Sequence, residues 1–143
     1  MSQFTIRTGS WDELQNDAKL IREQVFIQEQ QIAVTDEWDA EDAVSVHFVV
    51  YDQDQPIATA RLLKNNSVGR VAVLKSHRGV GIGKLLMRQI IQQAKHQQRE
   101  FLKLSSQVHA IQFYAGLGFK VEGEQYLDCG IPHIDMRLLF ASA

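Results

Sequence analysis

Arg78-Gly79-Val80-Gly81-Ile82-Gly83-Lys84 is the stretch on which the reading of this chain turns. Its three glycines alternate with apolar residues; the β-rich run Val68 to Leu74 precedes it and an apolar-periodic segment follows. Strand, glycine loop and helix N-terminus in that order make a site for an anionic group. Glycine has no Cβ, so the backbone can turn tightly and approach a ligand closely. The first helical N–H groups lack intrahelical partners, and the helix dipole adds partial positive charge there. Phosphate oxygens satisfy both. The same stretch would also serve as a ligand-free β-to-α turn, so its company along the chain has to decide.

Two phosphate-binding patterns are tested by counting. A nucleotide-hydrolysing P-loop needs four residues between its glycines and then Gly-Lys-Ser/Thr. Here Gly79 and Gly83 are separated by three residues and Leu85 follows Lys84, so no hydroxyl is placed to hold Mg²⁺. A dinucleotide-binding loop needs Gly-x-Gly-x-x-Gly, but its third glycine would fall on Lys84 or Leu86. What remains is Arg-x-x-Gly-x-Gly on Arg78, Gly81 and Gly83, which resembles the pyrophosphate loop of the GCN5-related N-acetyltransferase superfamily. A second stretch resembles another signature of that superfamily, Ala-x-x-Phe-Tyr-x-x-x-Gly-Phe, on Ala110, Phe113, Tyr114, Gly118 and Phe119. The resemblance covers about residues 46 to 140. More narrowly, Val25 to Gln30 and Gly130 to Ile134 resemble a bacterial subgroup of small single-domain acetyltransferases.

The resemblance implies a fold in which two central strands splay apart and acetyl-coenzyme A wedges between them as cosubstrate. Its pantetheine amides would pair with the backbone of Val71, Ala72 and Val73, much as an added strand would. The N–H groups of Gly79, Val80, Gly81, Ile82, Gly83 and Lys84 would hold the pyrophosphate, with charge-assisted help from Arg78 and Lys84. Phe113 and Gln107 are further cofactor contacts on this pattern; many family members carry Asn near Gln107. A non-catalytic acyl-coenzyme A-binding regulatory module would share the same loop.

The bulk properties bound the rest. A chain of 143 residues suits one domain, 1–143. Hydrophobic residues are 45%, charged residues 22% and the net charge is −2, as in ordinary globular proteins. With no basic run, no nucleic-acid partner is expected. No apolar stretch approaches the roughly 18 residues of a membrane span, and Met1 to Thr8 shows no signal pattern, so a cytoplasmic location is expected. The lone Cys129 excludes an internal disulfide and any cysteine-rich zinc site, and the histidines show no metal-ligand spacing. A monomer or a homodimer is equally compatible with the chain.

Along the sequence, Phe4 to Thr8 reads as a strand and Ser10-Trp11-Asp12-Glu13 as a helix-starting capping box. Leu14, Ala18, Ile21 and Val25 then recur on one helical face. Residues 31–45 read as a loop or short second helix carrying clustered negative charge. Val46 to Asp52 and Ile57 to Lys64 form a hairpin, followed by the strand Val68 to Leu74. Leu85, Leu86, Ile90, Ile91 and Ala94 give the next helix its buried face. Strands are expected at Phe101 to Ser105, Lys120 to Glu124 and Ile134 to Phe140, with a short helix from Ala110 to Gly116. The sum is an α/β (α+β) domain with a mixed, mostly antiparallel sheet flanked by helices.

The reaction implied is acetyl transfer to the primary amine of a small molecule or peptide. An alkyl amine has a pKa near 10.4 and must lose a proton before it attacks. On the family pattern Tyr114 is the general acid that protonates the departing coenzyme A thiolate. Some relatives place a glutamate on the strand before the glycine loop as base; Val71, Ala72 and Val73 stand there instead. Candidate bases or substrate contacts are Glu29, the 36–42 carboxylates with Asp36 and Glu37 foremost, and His133. Five carboxylates between Asp36 and Asp42 would set up a negative field that draws a cationic amine.

Overall fold

The computed structural model describes residues 3–140, so the first two and last three residues of the expected domain lie outside it. The capping box forms as the sequence requires: Ser10 Oγ accepts from the Glu13 amide, and Glu13 reaches back to the Ser10 amide at 3.1 Å. It starts α1 (Trp11–Arg22), which buries Leu14, Ala18 and Ile21 and continues into a π-helical segment, Glu23–Glu29, burying Val25 and Phe26. The strands are β1 (Phe4–Gly9), β2 (Val46–Asp52), β3 (Gln55–Leu62), β4 (Ser67–Val73), β5 (Phe101–Gln107), β6 (Lys120–Asp128) and β7 (Ile131–Leu139). The shorter helices α2 (Val34–Glu37) and α4 (Ile111–Ala115) and the long α3 (Ile82–His96) complete the set.

One sheet of seven strands runs in the order β1-β2-β3-β4-β5-β7-β6. Its neighbours are antiparallel except for β4 and β5. Alternation along the strands sorts the apolar residues onto two faces. Val49, Tyr51, Ala72 and Leu74 pack against α1, while Phe48, Val50, Ala60 and Leu102 pack against Leu86, Met87 and Ile90 of α3. The face of α3 is turned slightly from expectation: Ile82 and Met87 are buried, while Leu85 and Ile91 are only partly covered. β5 and β6 run past the spans expected from sequence, and β7 starts three residues earlier and ends one residue short, because β7 ladders with β5 from His133 to Leu139 and with both ends of β6.

The feature that positions the site is where β4 and β5 part. They pair only at Ser67↔Lys103 and Val68↔Leu104. Immediately beyond, the β3–β4 register slips between Thr59 and Arg61, opposite Arg70, which takes a left-handed φ of 52°. Such a bulge bends its strand and increases the local twist. β4 therefore swings away from β5, and the backbone of Gly69 to Val73 has no strand on that side.

The segment between α1 and β2 departs from the expected open patch of negative charge. It folds as α2 and a 3₁₀ turn (Ala40–Val44), with Glu37 and Asp42 only 2% and 3% exposed. Arg22 Nε donates to Glu37 Oε2 and Arg22 Nη1 to Asp42 Oδ1, both at 2.7 Å. Arg61 binds Asp39 and Asp42, and Arg70 reaches Glu37 and Asp39. Buried carboxylates require paired cations, and the fold brings these from α1, β3 and β4. Glu37 and Asp39 are thereby each paired with arginines, and the Arg61 bond holds Asp39 at about 2, well below the usual carboxylate range. Burial pushes Glu37 the other way, above its ordinary value.

Candidate active site

A cleft of about 650 Å³ opens where β4 leaves β5. Its walls come from the π-helical segment and α2 on one side, the unpaired edge of β4, the end of β5, and the start of β7. Of the residues singled out from sequence, Val71, Ala72, Val73, Arg78, Gln107, Phe113 and Tyr114 line this cleft together with Glu29, Asp36, Glu37 and His133. Gly79 to Lys84 flank it instead of lining it. Between Arg78 and Lys84 the only side chains are apolar, Ile82 2% exposed in the core and Val80 64% exposed, so a ligand there would be served by backbone and by the exposed Lys84.

That backbone fits an anionic group. Gly81 is the N-cap of the fifteen-residue α3, and no side chain caps the helix. Gly79 and Gly81 have φ of 81° and 89°, and a Cβ at either would meet nothing within 4 Å. The space over the loop is open, and the first amides of α3 have no partner within the helix. A Cβ on Gly83 would come within 3.3 Å of Phe113 Cζ, so a bare α-carbon lets the loop and the Phe113 ring meet. Gly81→Ala is expected to lower stability by about 1–2 kcal/mol, the cost of a left-handed L-residue. Denaturant unfolding checks this, and an unchanged midpoint would remove the conformational argument.

Arg78 is aimed differently from the expectation that it meets pyrophosphate. Its Nη1 and Nη2 donate to Glu29 Oε2 and Oε1 at 2.6 and 2.8 Å, and its Nε donates to the Val73 carbonyl at 2.9 Å. The guanidinium thus clips the π-helical segment to the end of β4. It also keeps the Glu29 carboxyl below the ordinary glutamate range. Gln107 ties the end of β5 to the residue that follows the π-helical segment: its Nε2 donates to Gln30 Oε1 at 3.1 Å, and its Oε1 lies 2.8 Å from His109 Nε2.

Tyr114 is 9% exposed, its ring edge-to-face with Phe113 and Phe119 at centroid separations of 5.0 and 5.9 Å. Burial pushes its phenol up to about 12, so it is a protonated donor throughout the physiological range. Cys129, in the β6–β7 turn, also lines the cleft. Desolvation and the carboxylates of Asp128 and Asp36 raise its thiol, which disfavours the nucleophilic thiolate.

Sequence reasoning missed a polar row on the cleft side of the sheet. Tyr126 donates to Asp135 Oδ1 at 2.6 Å, is hydrogen-bonded to Ser105 Oγ, and stacks on His133. Strand register places Ser105 opposite Asp135, and His133 between Gln107 and Tyr126. The alternation of polar residues in β5 and β7 was visible in the sequence, but their pairing was not.

Comparison with known proteins agrees with this geometry. The family description "Acetyltransferase (GNAT) domain" matches residues 15–140. The chain is 36% identical over 129 residues to the uncharacterised N-acetyltransferase YjcF of Bacillus subtilis, covering 87% of this chain and 92% of that protein. An acyl-CoA N-acyltransferase from Pseudomonas aeruginosa superposes with a TM-score of 0.86 at 29% identity, over 94% of this chain and 99% of the other. Escherichia coli ElaA gives 0.86 at 28% identity over the same shares. Splayed strand, uncapped glycine loop and family match converge: the chain belongs to the GNAT acetyltransferase family and is an acyl-coenzyme A-dependent N-acetyltransferase.

Proposed function

We propose that the protein moves an acetyl group from acetyl-coenzyme A directly to the primary amine of a small molecule or an exposed peptide amine. The observation that carries this is the unpaired edge of β4, which runs from the bulge at Arg70 to Val73 beside the uncapped start of α3. Edge main-chain groups along Val71 to Val73 suit the amides of pantetheine, the Val73 carbonyl already taking a bond from Arg78 Nε, and the amides of residues 79–84 suit a diphosphate. Bound acetyl-coenzyme A would supply the activated thioester. Direct attack needs no enzyme nucleophile, and Cys129, with its raised thiol, is poorly suited to be one.

Tyr114 faces the same cleft. Full transfer of its proton to a thiolate whose thiol lies near 8.5 would be uphill by about 5 kcal/mol from a phenol at about 12. Tyr114 therefore serves as a hydrogen-bond donor that stabilises charge developing on sulfur, rather than as a group that ends the reaction as tyrosinate. Acceptor specificity comes from the walls built by the π-helical segment, α2 and the start of β7.

Calorimetry with acetyl-coenzyme A and free-thiol release on a panel of amines test the proposal. Ligand at 100 times its Kd should stabilise the fold by roughly 2.7 kcal/mol, with thiol released only when an amine is present. Absence of binding heat and thermal shift would overturn the assignment of the cleft.

A further inference from the structure

An amine that reaches the cleft as an ammonium must lose a proton; of the four carboxylates that line it, Glu29 and Glu37 are bonded to arginines and Asp36 and Asp128 are exposed. Glu29 is held by two bonds to Arg78. Glu37 is 2% exposed and bonded to Arg22. Asp36 is exposed at the rim, its Oδ2 3.9 Å from Cys129 Sγ.

His133 differs from all four. It is 9% exposed and lines the cleft. Its ring stacks on Tyr126 with centroids 6.2 Å apart and planes 24° apart. Tyr126 is itself fixed by Asp135 and Ser105. His133 Nδ1 lies 2.7 Å from the Ile131 carbonyl oxygen. A carbonyl only accepts, so Nδ1 carries the hydrogen. In the neutral ring the lone pair is then on Nε2. Nε2 has no hydrogen-bond partner among the described residues. Backbone and stacking thus hold one tautomer and leave its single basic nitrogen unengaged, in the cleft that also contains Tyr114.

We propose that His133 is the general base of the transfer, accepting the proton of the substrate ammonium on Nε2. This rests on the acetyl-transfer reading given above. As the N–H bond breaks, its electron pair stays on nitrogen and forms the new bond to the acetyl carbon, while the carbon–sulfur pair leaves with sulfur. Of the two protons the ammonium loses, the first goes to Nε2 and then to solvent; the second ends on sulfur as the free thiol. The Nδ1–H bond to Ile131 persists in the imidazolium, so the ring needs no reorientation between turnovers.

His133→Asn separates the two nitrogens. Its amide N–H can replace Nδ1–H toward Ile131, and nothing replaces Nε2. For an alkyl amine, kcat/KM should fall by about 10²-fold or more. Acetyl-coenzyme A affinity by calorimetry and the melting temperature should stay near wild type. The loss should shrink for an acceptor whose amine is already neutral at the assay pH. Independently of turnover, ¹⁵N NMR of the His133 ring in the free wild-type protein should report hydrogen on Nδ1 and a lone pair on Nε2. The opposite tautomer overturns the proposal, as does a His133→Asn enzyme that binds acetyl-coenzyme A and acetylates alkyl amines at the wild-type rate. So does a comparable loss found in Asp36→Asn and not in His133→Asn. If wild type itself gives no heat with acetyl-coenzyme A, it is the acetyl-transfer reading that falls.

Discussion

Tyr114→Phe should lower kcat by about 10²–10³-fold while leaving the Kd for acetyl-coenzyme A nearly unchanged; that is the usual cost of deleting one preorganised donor from a site where charge develops. The substitution removes a single oxygen. The ring is fixed by Phe113 and Phe119 on its edges, and those contacts survive in phenylalanine. Ground-state binding should not change, because the contacts proposed for the coenzyme are main-chain groups along β4 and at the start of α3, not the phenol. The effect therefore belongs to kcat. Because burial holds the phenol near 12, no tyrosinate forms below that range, and the wild-type profile should show no Tyr114 ionisation between pH 6 and about 10. Steady-state kinetics with calorimetry on the same preparations checks both halves. An unchanged kcat would remove Tyr114 from the chemistry, and a loss confined to coenzyme affinity would make it a packing residue.

The glycine loop and the helix start were readable from spacing, while the roles given to Val71, Ala72 and Val73 rested on the family resemblance. Gly81 at φ 89° heads a helix with no side-chain cap, and glycine is the residue that adopts such a conformation without strain. Tyr114 and Phe113 were singled out by the same family resemblance, since position alone would read Tyr114 as a core aromatic. The polar part was much less legible, for a physical reason. Arg78 carried the signal of a phosphate ligand, yet in this structure it spans to Glu29, a partner 49 residues away. The run Asp36 to Asp42 looked like an unbalanced negative surface because its neutralising arginines lie on other elements. Local patterns report torsional preference and which face is apolar. They do not report which distant side chain answers a buried charge. One clue was present: Arg22 is four residues beyond Ala18, on the buried side of α1, and is itself 1% exposed. A lone cation on a buried helical face implies a carboxylate from elsewhere. The gape of the sheet was similarly hidden, since it depends on Arg70, a non-glycine residue with positive φ that no residue-type rule marks.

Arg22→Met should destabilise the fold by about 3–5 kcal/mol, because it takes the shortest-range cation from two buried carboxylates rather than removing a whole pair. For a chain of this size that is a fall in melting temperature on the order of 10 °C. Arg22 donates to Glu37 Oε2, to the Glu37 carbonyl and to Asp42 Oδ1, with the Trp38 ring 4.8 Å from its guanidinium carbon. Methionine can fill the space between the ring systems but offers no donor. Arg61 still faces Asp42 at 2.9 Å, whereas Glu37 keeps only the longer 3.3 Å approach of Arg70 Nε, so Glu37 bears most of the loss. Its carboxyl already lies above the ordinary glutamate value through burial. An acid whose folded pKa exceeds its unfolded one costs stability while ionised, and that cost disappears as pH falls through the folded value. Arg22→Met should therefore recover part of its deficit on mild acidification, whereas Asp39, held at about 2 by Arg61, makes the wild type lose stability as pH falls below the unfolded aspartate range near 3.8. The double variant Arg22→Met/Glu37→Gln should recover much of the loss at neutral pH, since it withdraws a buried charge left with only the longer Arg70 contact. Activity should follow stability only partly. Arg70 donates to the Asp36 and Glu37 carbonyls and still ties α2 to β4. Loosening the Glu37 end of that helix should thus raise KM for the amine more than it changes the Kd for acetyl-coenzyme A, whose proposed contacts lie on β4 and α3. A single variant with full stability at neutral pH would show that the arginine–carboxylate cluster does not hold this wall of the cleft.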